Sequence, residues 1–173
     1  MTAFHFTALF ASALLLTTLT KLWLARRHLN HIQSHRSFVP PDFIAQIDLT
    51  AHQKAADNTS TKTRLGILNI VFDATLLMLF TLGGGIQYLA ERSLHAFNEP
   101  LLQGTAVILA VLLISAVLES PFGLYRTFVI EARFGFNKTT PMLYLIDTIK
   151  GLILGAILGL PLLFGVLWIM GMM

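Results

Sequence analysis

Residues 100–138 read PLLQGTAVILAVLLISAVLESPFGLYRTFVIEARFGFNK. Pro100 to Leu118 holds no Asp, Glu, Lys or Arg. A helix rises about 1.5 Å per residue and a bilayer's hydrocarbon core is about 30 Å thick, so about 20 apolar residues cross it. The run lacks the strict alternation of a membrane strand. Lipid offers no partner to a bare N–H or C=O, so such a run crosses as a helix. After Leu118 the character changes at once. Glu119, Arg126, Glu131, Arg133 and Lys138 stand among Phe122, Tyr125, Phe128, Phe134 and Phe136. Charge mixed with aromatics marks an interfacial segment. It predicts a stretch that lies on or re-enters the membrane and ends in a turn at Gly135 to Asn137.

Working outward, three more apolar runs appear, giving expected spans at about 2–24, 65–90, 100–118 and 141–171. Lys21, Trp23, Arg26 and Arg27 close the first run as a helix meets headgroups. No Lys or Arg precedes that run, so it reads as an uncleaved span and not as a signal peptide. The composition agrees. Of 173 residues, 55% are hydrophobic and 12% charged, where a soluble domain carries about 25% charged. That excludes an ordinary water-soluble enzyme, and disorder as well. With no cysteine there is no disulfide, thiolate metal site or cysteine nucleophile. The expected fold is all-α: a polytopic integral membrane protein of about four transmembrane helices, with short cytoplasmic amphipathic helices, forming one membrane domain over 1–173.

Charge placement sets the expected topology. Loop 25–64 holds Arg26, Arg27, Arg36, Lys54, Lys62 and Arg64 against Asp42, Asp48 and Asp57. Loop 119–140 holds Arg126, Arg133 and Lys138 against Glu119 and Glu131. The loop between them holds Glu91, Arg92 and Glu99. Basic loops stay inside, so both are expected to be cytoplasmic and the N-terminus outside, in a bacterial inner membrane. The net charge of +3 is thus explained by topology and not by a nucleic-acid partner, for which no motif is present. In the first loop, Pro40-Pro41-Asp42 with Phe43, Ile44 and Ile47 predicts a short membrane-hugging turn. Thr50-Ala51-His52-Gln53 fits a capping box. The helix begun there either runs into the second span or breaks in the polar 58–63 stretch.

Few residues suggest chemistry. Asn69 and Asp73 sit one turn apart inside the second span, where a charge costs about 2.5–3.5 kcal/mol on insertion scales. They mark either a polar chamber or ion path, or a protonated or hydrogen-bonded aspartate between helices. Asp147 and Lys150 are spaced to pair on one helix face. Gly151, Gly155 and Gly159 form a small-residue stripe for close helix packing, and Pro161 is expected to kink that span. Gly83-Gly84-Gly85 is a flexible or closely packed point without the context of a phosphate loop. His31 and His35 have the spacing of zinc ligands in H-E-x-x-H, but Ile32 stands where the general base belongs. No H-E-x-x-H, G-x-S-x-G or P-loop is present, nor any internal repeat or low-complexity tract.

The segment after the third span resembles the N-terminal membrane domain of type I CAAX prenyl proteases, which are integral-membrane zinc metalloproteases. Pro121, Phe122, Leu124, Tyr125, Thr127 to Glu131, Arg133 and Gly135 to Lys138 match that pattern, while Arg126 and Ala132 depart from it. His52 to Asp57 with Lys62 and Arg64 match a second stretch, and Asp147, Lys150, Gly151 and Leu152 a third. The resemblance implies a seven-helix protein around a water-filled chamber. It implies a zinc site from the two His of H-E-x-x-H and a distant Glu, with the first Glu as general base. The substrates would be membrane-delivered chains such as prenylated C-termini.

This chain supplies about four of those helices. Zinc is expected in the full-length family, and no catalytic or metal-binding residue is carried onto this chain, which is expected to be inactive alone. Glu119, Arg126, Glu131, Arg133, Asn137 and Lys138 are expected chamber-wall or gate residues. His52, Lys54, Asp57, Lys62 and Arg64 belong to a cytoplasmic-side helix. Expected partners are the bilayer, a membrane-delivered peptide or protein, and a C-terminal catalytic half. The end at Gly171-Met172-Met173, directly after an apolar span, suggests truncation. A non-catalytic scaffold or partner-binding module, or less favourably a small transporter, are the competing readings.

Overall fold

The structure, a computed structural model, describes residues 2–172. It is helical throughout: α1 Ala3–His35, a 3-10 turn Pro41–Phe43, α2 Leu49–Thr81, α3 Gly85–Ala96, α4 Pro100–Leu124, a π-helical segment Tyr125–Glu131 and α5 Pro141–Met172. Four helices are long and apolar enough to cross a membrane: Ala3–His35, Leu49–Thr81, Pro100–Glu131 and Pro141–Met172. Among the described residues, Ile130 alone is a buried hydrophobic side chain, at 2% exposure. Leu158, Leu162 and Trp168 show more than half their surface. Water does not tolerate an apolar surface so extensive; lipid covers it without cost.

Contacts divide the chain into two compact units. One holds the chain up to Leu77 together with Pro121–Asn137, the other Met78–Ser120 together with the chain from Lys138 onward.

In the first unit, α2 is continuous through the polar stretch at 58–63. Thr59, Thr61 and Thr63 each donate a hydroxyl hydrogen bond to the carbonyl four residues back, at 2.8–2.9 Å. Their polarity is thus satisfied within the helix instead of breaking it. The capping box expected at Thr50 is not formed. The helix starts one residue earlier, at Leu49. The His52 N–H donates to the carbonyl of Asp48, and the Thr50 hydroxyl donates to the Asp48 carboxylate. Asp48 therefore occupies the entry position, since Asp serves there as well as Thr. The turn Pro41–Phe43 forms as expected, with Phe43 and Ile44 exposed. The aromatic rings of Phe72 and Phe122 lie 5.2 Å apart.

In the second unit, the helix expected over 65–90 is interrupted. α2 stops at Thr81 and α3 begins at Gly85. Gly84 adopts φ +79°, and a Cβ on Gly83 would lie 2.7 Å from the Leu79 carbonyl oxygen. Only glycine takes both positions without strain. At 12 residues, α3 spans about 18 Å, too short to cross. Its link to α4 is tied by the Ser93 hydroxyl on the Gln103 carbonyl (2.9 Å) and the Gln103 amide on the Phe97 carbonyl (2.7 Å). Close packing between α4 and α5 falls at Gly104, whose Cβ position is 3.4 Å from Leu167 Cδ1. Gly151, Gly155 and Gly159 have nothing within 4 Å of theirs. The stripe expected to receive a helix meets none among the described residues. α5 continues through Pro161.

Candidate functional site

The first unit brings two of the expected segments together: α2 over 52–64 and the stretch 125–137. Their junction is Glu131. Its carboxylate takes Lys62 Nζ at 2.6 Å, and Arg126 Nε stands 3.6 Å away. Lys62 and Glu131 are 26% and 22% exposed, Arg126 61%. Next to Glu131, Ile130 is buried at 2%. The pair is itself about three-quarters buried, which strengthens its attraction relative to one in open water.

Backbone geometry explains how Glu131 is presented. Tyr125–Glu131 winds as a π-helix, a rare form that collects at functional sites. Residues five apart are not neighbours on an α-helix. The wider π turn, with hydrogen bonds running over five residues, lets Arg126 approach Glu131. The helix is then terminated at Gly135, with φ +70°. The Gly135 N–H donates to the Ala132 carbonyl at 3.0 Å and the Phe136 N–H to the Glu131 carbonyl at 2.8 Å. Those two bonds make a Schellman motif, which uses a left-handed glycine after the last turn. It is the turn expected at Gly135 to Asn137. α2 covers it: Lys54 Nζ lies 3.3 Å from the Cβ position of Gly135 and 5.8 Å from the Phe136 ring centre.

A second tie joins α2 to the end of α1, ahead of the apolar run that opens at Leu65. Arg36 grips Asp57 through two parallel hydrogen bonds, Nε to Oδ1 at 2.7 Å and an Nη to Oδ2 at 2.8 Å. This fork geometry holds the Asp57 carboxyl below its usual range and raises the Arg36 guanidinium. His52 Nε2–H donates to the His35 carbonyl at 3.0 Å. The rings of His31 and His35 lie 4.2 Å apart with their planes tilted by 38°, and His35 Nδ1–H donates to the His31 carbonyl. Beside Asp57, Asn58 is 8% exposed and its Oδ1 has no hydrogen-bond partner.

Other expected residues stand elsewhere. Asn69 Nδ2 donates to Asp73 Oδ2 at 3.2 Å within α2, and the buried Asn69 Oδ1 is left without a partner. In the second unit, Glu119, Lys138, Asp147 and Lys150 are exposed. Among the described residues none of the four has an ion pair within 4.0 Å; the pairing expected for Asp147 and Lys150 is not made. An interval of three on a helix brings side chains near, but for exposed ions water is as good a partner. Sequence reading overlooked Arg36, Gln33 and Ser60, which act across 21 or more residues or line a cavity. No local spacing signals them.

Comparisons with known proteins show the family. A family model described as "CAAX prenyl protease N-terminal, five membrane helices" matches residues 28–173. The "Probable CAAX prenyl protease 1" of Schizosaccharomyces pombe is 28% identical over 151 residues, covering 79% of this chain and 31% of that protein. The human "CAAX prenyl protease 1 homolog" is 29% identical over 163 residues, covering 88% and 34%. The crystal structure of S. mikatae Ste24p superposes with a TM-score of 0.76 at 21% identity, over 87% of this chain and 36% of that one, and shows the same fold. The chain spans about a third of the length of the curated relatives it matches. It therefore belongs to the family of CAAX prenyl protease N-terminal membrane domains.

Proposed function

We propose that this chain is the N-terminal membrane domain of a CAAX prenyl protease-like zinc endopeptidase, that it forms part of the wall of an intramembrane chamber, and that it is not catalytic alone. The observation that carries this reading is the Lys62–Glu131–Arg126 cluster, which ties the two family-like segments at 2.6 and 3.6 Å. A charged cluster held in shape where α2 meets the segment 125–137 suits a water-lined wall at the cytoplasmic end better than a lipid-exposed surface. Asp73 and Asn69 supply a second polar point on α2.

The zinc of the full-length family does not fit the residues present. Among the described residues no three His, Cys, Asp or Glu side chains are grouped to hold a metal ion. The residues of this chain are accordingly given no step of peptide hydrolysis. Their role is to hold helix register and wall polarity while a segment bearing H-E-x-x-H would supply hydrolysis. Orientation follows the basic loops: N-terminus outside, 25–64 and 119–140 on the cytoplasmic face. The S. pombe and human relatives are eukaryotic, and the same orientation rule holds in their membranes and in a bacterial inner membrane.

The test is reconstitution. The chain alone, supplied with zinc, is expected to show no cleavage of a prenylated C-terminal peptide. Activity is expected on adding a catalytic half with H-E-x-x-H, and to fall when Glu131 is replaced by Lys. Cleavage by the chain alone with stoichiometric zinc would overturn the reading. So would a Glu131→Lys chain that supports full activity. The transporter reading has its own check, ion flux in liposomes that disappears in Asp73→Asn.

A further inference from the structure

A cavity of about 320 Å³ lies in the first unit, lined by Gln33, Asp57, Ser60, Thr61, Arg64, Arg133 and Phe134. Its volume is at the lower end of the about 300–1,000 Å³ typical of ligand sites. The charges lining it are unequal. Asp57 is already gripped by Arg36, which lies outside the lining. Arg64 and Arg133 have no ion pair within 4.0 Å among the described residues. Both are exposed, so two guanidinium groups stand at one cavity with their donors open to a ligand that enters from the solvent side.

The polar lining is just as one-sided. The Thr61 hydroxyl hydrogen is spent on the Asp57 carbonyl at 2.8 Å. Ser60 differs from its threonine neighbours. It is 6% exposed, faces the cavity and has no hydrogen-bond partner among the described residues. A hydroxyl at the cavity wall with no protein partner can donate to an acceptor oxygen that enters the cavity. Arg133 is braced against the Phe134 ring, 5.9 Å from its centre. That leaves its fork of N–H donors available.

From these observations we infer that the cavity binds a phosphate group. Phosphate offers several charged acceptor oxygens, matching two arginine forks, the Ser60 hydroxyl and the Gln33 amide. The depth suits it. Arg64 is the last charged residue before Leu65 opens the apolar run of α2, which is the level of phospholipid headgroups. A phospholipid headgroup and a soluble phosphate ester share this chemistry, and competition between lipid and glycerol 3-phosphate separates them.

The purified full chain is placed in nanodiscs of phosphatidylcholine with phosphatidylglycerol, and retained lipid is counted by native mass spectrometry. Phosphatidylglycerol is expected to be retained over phosphatidylcholine. Arg64→Gln with Arg133→Gln is expected to weaken retention at least about tenfold, since each lost bond is charge-assisted. Arg26→Gln with Arg27→Gln removes the same charge beside the first span and is expected to change retention less than about threefold. If the first double variant loses its helical circular dichroism, Ser60→Ala serves instead, with an expected weakening of about two- to fivefold. Millimolar glycerol 3-phosphate that displaces the lipid, or binds where no lipid is retained, assigns the cavity to soluble phosphate esters. Equal losses in the two double variants, no loss in the pocket variants, or retention of neither lipid nor glycerol 3-phosphate would overturn the inference.

Discussion

Removing one partner of the Lys62–Glu131 pair tests the role assigned to it. Exposed ion pairs contribute about 0–1 kcal/mol. Stripping one partner from a fully buried pair costs about 3–5 kcal/mol. Here the side chains are 26% and 22% exposed and the nitrogen–oxygen distance is 2.6 Å, so Lys62→Met and Glu131→Gln should each cost about 2 kcal/mol. The two residues act as one unit, so the double variant should cost far less than the sum. The expected coupling is about 1.5–2 kcal/mol. Arg126→Gln is the internal control. At 3.6 Å and 61% exposed, it should cost less than about 0.5 kcal/mol. Reversible unfolding in mixed micelles, followed by helical circular dichroism, measures all four variants. Single variants below about 0.5 kcal/mol, or a double variant equal to their sum, would refute the claim that this pair locks the segment 125–137 onto α2.

Three further outcomes follow from other contacts. Arg36 depresses the Asp57 carboxyl, so the pair's contribution is present above the ordinary aspartate range near pH 4 and is lost as pH falls through the lower folded value. Unfolding measured from pH 6 down to pH 2 should show this acid-side loss in the parent and not in Asp57→Asn. Gly135→Ala should destabilise by about 1–2 kcal/mol, because φ is +70° there and a left-handed conformation costs an L-residue about that much; Gly135→Asn should cost less, read by the same unfolding assay. Gly83→Ala should shift the α2–α3 junction, since its Cβ would sit 2.7 Å from a backbone oxygen, and faster proteolysis near 83–85 would report it.

Much of the architecture was legible because membrane physics makes it local. Pro100 to Leu118 must be a helix since lipid forbids anything with unpaired backbone, and it is one. The glycine triplet was recognisable as a special point, but not as a helix break. That outcome depends on Gly84 adopting φ +79°, which composition does not state. The family-like segments could be matched by order and spacing. Their meaning as a joined site could not, because Lys62 and Glu131 are 69 residues apart and ion pairing at that range is a matter of folding.

Environment, helical class and family each follow from a property that accumulates along the chain: apolar run length, charge placement and motif order. Which charges meet does not, because it depends on packing. Asp147 and Lys150 share a helix yet form no ion pair, while Arg36 and Asp57 meet across 21 residues. Arg126 reaches Glu131 through a π turn that no local pattern announced. Attraction falls with distance in space and not in sequence, so a charge's partner is set by the packing that brings it near.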